Sequence, residues 1–145
     1  MTAPSELQVR VDGDPVGQGR LSHVGRGVLV HSNAAELKPW RTKVGNAVVE
    51  ALAGREPAHG HTPVELSLFF DVPRGTTVRR PLPAVRPDLD HLVRAVLDGL
   101  TGVLFVDDGQ VVSISTEKRY AATPDRTGVR IYARWPATDQ ENPPC

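Results

Sequence analysis

Thirteen glycines and thirteen prolines are spread along 145 residues and cut the chain into short elements. Proline breaks a helix interior and removes a sheet donor, and glycine ends both kinds of element, so short elements are expected. Between the breaks, the hydrophobic periodicity sorts the segments. Glu6 to Val11 alternates, with Leu7, Val9 and Val11 on one side, and is predicted as a half-buried strand. Asp12 to Pro15 turns the chain, the glycine-rich basic run from Gly17 to Gly27 is an exposed loop or hairpin, and Val28 to Val30 is a short strand. Pro39 to Ala53 repeats apolar residues at helical spacing, with Pro39 suited to the first helical position and Gly54 to the stop. Ser32 or Asn33 could cap an additional turn before it.

Arg55 to Pro63 is a polar linker, Val64 to Phe70 a strand, and Asp71 to Pro87, with four prolines, no regular element. A second helix follows from Asp88 to Leu100. Val111 to Lys118 and Thr127 to Trp135 are predicted to pair as terminal strands about a turn near Ala121 to Arg126. The order gives an α+β fold: a small mixed β-sheet with helices packed on one face. The length supports one domain, residues 1–136, with a polar, Pro-rich tail over 137–145.

Seventeen basic residues balance seventeen acidic ones, which excludes a uniformly basic nucleic-acid coat but not a local patch. Fourteen of the basic residues are Arg, whose flat donor fork suits phosphate, though GC-rich coding gives the same bias. The one cysteine, Cys145, excludes an intramolecular disulfide, and zinc-finger spacings are absent. No secretory leader or bilayer-length apolar run is visible, so the chain reads as cytoplasmic and soluble.

The chemistry concentrates between Arg86 and Val111. Leu89, Leu92, Val93, Val96, Leu97 and Leu100 form one apolar stripe, while Asp90 and Arg94 lie one turn apart beside it. Asp88 falls at the helix start. Either Asp88 or Asp90 alone is also what a cap or a dipole-complementing residue would show, and Asp107-Asp108-Gly109 alone is also a tight turn. Together, carboxylates converging from two stretches would repel one another unless a divalent cation compensated them, and oxygen-only ligands select Mg²⁺ or Mn²⁺.

Arg86-Pro87-Asp88-Leu89-Asp90-His91-Leu92, then Asp98-Gly99-Leu100, then Asp107-Asp108-Gly109-Gln110-Val111, resembles the RusA family of Holliday-junction resolvases. Gly13 to Val16 and Gly19-Arg20 look like that family's N-terminal loop. The resemblance implies a homodimeric, Mg²⁺-dependent, structure-selective endodeoxyribonuclease that resolves four-way DNA junctions by paired symmetric nicks. By the same resemblance Asp88, Asp90 and Asp108 are the catalytic metal-binding carboxylates, and Asp107 is their acidic neighbour. Arg94 stands where the family usually has a catalytic lysine, and His91 where it usually has asparagine. Arg20 and Arg26 of the N-terminal loop, with Arg74, Arg79, Arg80 and Arg86, are the candidate DNA-binding residues.

A branched-DNA-binding protein of the same family, weakened in its chemistry by the changes at 91 and 94, is the alternative. A phosphotransfer enzyme would place its DxD after a buried apolar strand, whereas here RRPLPAVRP precedes it. His59-Gly60-His61 reads as solvated loop, Trp40 as core, and Trp135 as packing at an edge.

Overall fold

The computed structural model describes residues 3–19, 21–23, 29–31 and 34–137. Its elements run β1 (Ser5–Asp12), β2 (Leu21–His23), β3 (Leu29–His31), α1 (Ala34–Leu52), β4 (Val64–Val72), α2 (Leu89–Leu100), β5 (Val111–Tyr120) and β6 (Gly128–Trp135). Strands β1, β6, β4 and β5 form one sheet in that order, and β2 and β3 form a separate hairpin. The α+β class with a mixed sheet is as the sequence indicates.

Alternation sets the faces. In β4, Val64, Leu66, Leu68, Phe70 and Val72 are buried, and in β6 so are Val129, Ile131, Ala133 and Trp135. The register pairs Leu66 with Ala133, Leu68 with Ile131 and Phe70 with Val129, so these side chains share one face. Leu37, Trp40, Val44, Val48 and Leu52 of α1 and Leu92, Val96, Leu97 and Leu100 of α2 join the same core, which places both helices on that face. The opposite face is polar: Asp71 meets Arg10 at 3.3 Å, Arg119 at 3.5 Å and Arg130 at 3.7 Å.

Four expectations need correcting. The last two strands do not pair with each other. β4 lies between them, parallel to β5 and antiparallel to β6. Strand β4, helix α2 and strand β5 make a crossover unit, the connection that parallel strands require. β6, apolar at every second residue, takes an interior position, while β5, with its TEKRY end, tolerates the edge. For the same reason Trp135 is not at an edge but fully buried. The first helix begins at Ala34, and Pro39 lies inside it rather than at its start. The added turn buries Leu37, which offsets the hydrogen bond that Pro39 cannot donate. Finally, Asp71 and Val72 still belong to β4, so the irregular stretch starts at Pro73.

The two helices cross where glycines meet. A Cβ on Gly99 would lie 2.9 Å from the Arg41 carbonyl oxygen and 3.2 Å from Val44, and one on Gly45 would lie 3.2 Å from the Gly99 carbonyl oxygen. Arg41 then donates to Asp98 at 3.0 Å across the crossing. The expected tail beyond Ala137 lies outside the described residues.

Candidate metal and nucleic-acid site

Helix α2 carries its polar residues at its open end. Asp88 has the extended backbone of an N-cap, and its carbonyl accepts the first helical bond from Leu92 at 3.1 Å. Its side chain makes no capping hydrogen bond. The simple capping role for Asp88 therefore does not hold, and its carboxylate is left for another partner. Asp90 follows in the first turn and is the most exposed of the group at 83%. His91 lies beside both: Nδ1 is 3.8 Å from an Asp88 oxygen, and Nε2 is 3.9 Å from an Asp90 oxygen. One ligand atom from each of Asp88, Asp90 and His91 falls within 4.8 Å of the others.

Asp107 and Asp108 do not join that group among the described residues. Asp107 caps the 3₁₀ turn Asp108–Gln110 and accepts from Gly109 N–H at 3.2 Å. Asp108 accepts from Arg94 at 2.6 Å, and Arg94 is also 3.9 Å from Asp98. Arg94 thus ties helix α2 to the turn through Asp108, one helical turn or more from the Asp88 and Asp90 end. Arg94 and Asp108 line a shallow cleft of about 320 Å³ with Leu97, Val111, Val112 and Ile114.

The turn's position depends on Gln110, to which sequence reasoning attached no role beyond its place in a motif. It is 8% exposed, and its Oε1 accepts from Val106 N–H at 2.8 Å and Asp107 N–H at 3.1 Å. Its Nε2 faces the carbonyls of Ala58, His59 and Thr62 at 3.4, 2.8 and 3.0 Å. A buried amide satisfying both sides in this way fastens the Asp107-Asp108 turn to the linker before β4. Its place after Asp107-Asp108-Gly109 gave no sign of these distant partners.

The arginine-bearing loop is fastened rather than loose. Arg74 stacks on Tyr120 with its Cζ 4.3 Å from the ring centroid, and Arg80 donates to the Tyr120 hydroxyl at 2.8 Å. Lys118 donates to the carbonyls of Val85 and Pro87, both at 2.7 Å, immediately before Asp88. Arg79 and Arg86 are exposed. Arg20 and Arg26 lie outside the described residues, but the loop that precedes Arg20 is beside the site. Gln18 N–H donates to the His91 carbonyl at 3.1 Å, and a Cβ on Gly17 would lie 3.2 Å from the His91 Cβ. His59 pairs with Glu56 and stands apart from the metal-ligand group, and Trp40 is core.

A small α+β domain that gathers carboxylates at a helix start, next to arginines, has the make-up of a nuclease. The comparison with known families agrees: residues 12–132 match the model of endodeoxyribonuclease RusA, and the chain belongs to that family. It is also 24% identical over 132 residues to the uncharacterized protein YqaN of Bacillus subtilis (strain 168), covering 81% of this chain and 90% of that protein. Among the described residues no helix is long and apolar enough to cross a membrane.

Proposed function

We propose that this protein is a divalent-cation-dependent endonuclease that resolves four-way DNA junctions by paired symmetric nicks, acting as a homodimer. The observation that carries the reading is the pair Asp88 and Asp90, uncapped and exposed at one helix end, in a chain of the RusA family. Carboxylate oxygens at this spacing fit a hard divalent ion, Mg²⁺ or Mn²⁺. When bound, such an ion supplies an activated water and neutralises phosphoryl charge.

Asp88 and Asp90 would hold the ion, and Asp108 would approach it with the oxygen not engaged by Arg94. Arg94 keeps its charge at every relevant pH, so its part is to bind the scissile phosphate and steady the developing charge, not to move a proton. To do this it exchanges Asp108 for phosphate. Asp107 keeps the turn in place. Arg79 and Arg86, with Arg20 and Arg26, would neutralise flanking phosphates; Arg74 and Arg80 would contribute from their seat on Tyr120. These local contacts let a chain of zero net charge bind DNA.

Two nicks related by symmetry need two sites about a twofold axis. Strand β5 exposes Val112 and Ile114 along a sheet edge beside the cleft, and this surface suits a second copy better than buried Trp40 does.

Asp90→Asn tests the reading on a labelled synthetic four-way junction with linear duplex as control. The expected result is loss of cation-dependent cleavage with junction binding retained. Cleavage at the wild-type rate would remove Asp90 from the site. Metal-independent binding without cleavage by the wild type would favour the weakened, binding-only alternative.

A further inference from the structure

We infer that His91 is a nitrogen ligand of the cation site, and that it turns the site's preference from Mg²⁺ toward first-row transition ions such as Mn²⁺ and Co²⁺. This rests on the carboxylate site proposed above and concerns which ion that site takes. The oxygen-only set anticipated from the sequence is not what the structure gathers, since an imidazole completes the group with Asp88 and Asp90.

Three observations carry the assignment. The ring nitrogens stand 3.8 and 3.9 Å from the two carboxylates, beyond hydrogen-bond length, so the ring is bonded to neither. One ligand atom from each of the three side chains lies within 4.8 Å of the others, while ligands of one octahedral ion at about 2.1 Å are about 3.0 Å apart when adjacent and about 4.2 Å when opposite, so small side-chain rotations bring one ring nitrogen and two carboxylate oxygens onto a single ion. The backbone of His91 is held from behind. Its carbonyl accepts from Gln18, and Gly17 packs so close to its Cβ that a larger residue there would press on it. A side chain whose root is fixed and whose ring is unbonded beside two carboxylates is arranged for a shared cation.

The chemistry then sets the preference. Mg²⁺ gains little from an imidazole, whereas affinity for nitrogen ligands rises along the first-row series from Mn²⁺ through Co²⁺. An asparagine at this position, as in the family pattern, would offer only a neutral oxygen and leave Mg²⁺ at no disadvantage.

The test measures ion binding directly on the full chain, without DNA. Co²⁺ is titrated by its visible absorption and Mg²⁺ by competition against it, in the wild type, His91→Asn and Asp90→Asn. His91→Asn is expected to weaken Co²⁺ by about tenfold or more while Mg²⁺ changes little. In the wild type, Zn²⁺ is expected to shift the ring-nitrogen resonances of His91 in long-range ¹H–¹⁵N spectra, a readout that needs no variant. Unchanged or tighter Co²⁺ binding in His91→Asn, or ring resonances that do not move at saturation, overturns the assignment. If Asp90→Asn weakens both ions while His91→Asn weakens neither, His91 alone is excluded; if neither variant weakens either ion, the carboxylate site fails with it.

Discussion

Replacing Gln110 with glutamate changes one NH₂ group to an oxygen and nothing else in size. The acceptor side survives, because the remaining oxygen still receives Val106 and Asp107 N–H. The donor side inverts: an anionic oxygen now faces the carbonyls of His59 and Thr62 at about the 2.8 and 3.0 Å of the native bonds, with Ala58 slightly farther. Two good hydrogen bonds are lost, at about 1 kcal/mol each, and a charge at a site only 8% exposed is left unpaired against carbonyl dipoles. The total is about 3–5 kcal/mol, a large part of the roughly 5–15 kcal/mol that holds a domain together.

Thermal unfolding followed by circular dichroism should show a midpoint lower by about 10 °C. The defect should shrink in acid. The introduced carboxyl, disfavoured as an anion in the fold, has its folded-state pKa above the unfolded one. The charge part of the penalty is therefore absent below the unfolded pKa, grows as pH rises between the two values, and is complete above the folded one, while at least one lost hydrogen bond persists at every pH because a neutral carboxyl donates once where the amide donated twice. A midpoint within about 2 °C of the wild type at neutral pH would refute the idea that this amide fastens the Asp107-Asp108 turn.

Gly99→Ala pits helix propensity, which favours alanine by about 1 kcal/mol, against a Cβ placed 2.9 Å from the Arg41 carbonyl. The contact is with backbone and should win, so urea unfolding should show net destabilisation of about 1–3 kcal/mol. Arg94→Ala should lower junction cleavage by about a hundredfold, with a stability change below about 1 kcal/mol because its ion pairs are half exposed; Arg94→Lys should recover part of the rate. Asp125 titrates below the usual carboxylate range chiefly because the Thr123 hydroxyl donates to it, so Thr123→Val should move its carboxyl ¹³C titration upward. Whatever stability that contact contributes is present above the unfolded pKa and lost as pH falls through the lower folded value.

Local pattern was enough for the elements themselves. The apolar stripe of α2 is buried as its spacing requires, with Leu89 and Val93 half-buried at its margin, and β4 alternates over its full length. Both carboxylates at the α2 start were legible because helical spacing puts Asp88, Asp90 and His91 within one turn. The sequence leads to the expectation that Asp107 and Asp108 meet Asp88 and Asp90, whereas the contact of Asp108 with Arg94 was not legible, since it depends on how a turn returns to a helix. The role of Gln110 was not legible at all, because its partners at 58, 59 and 62 are about fifty residues away in sequence.

Sequence alone determined which stretches are helix or strand, which face of each is apolar, and that acidic residues crowd one helix start. Those properties follow from side chains a few residues apart. Tertiary structure alone decided that β6 inserts between β1 and β4, that β5 runs parallel at the edge, and that His91 rather than Asp108 completes the group with Asp88 and Asp90. Neighbouring strands compete for the interior by the apolar area they bury, and a ligand set by distances set across elements. Neither quantity exists until the chain has packed.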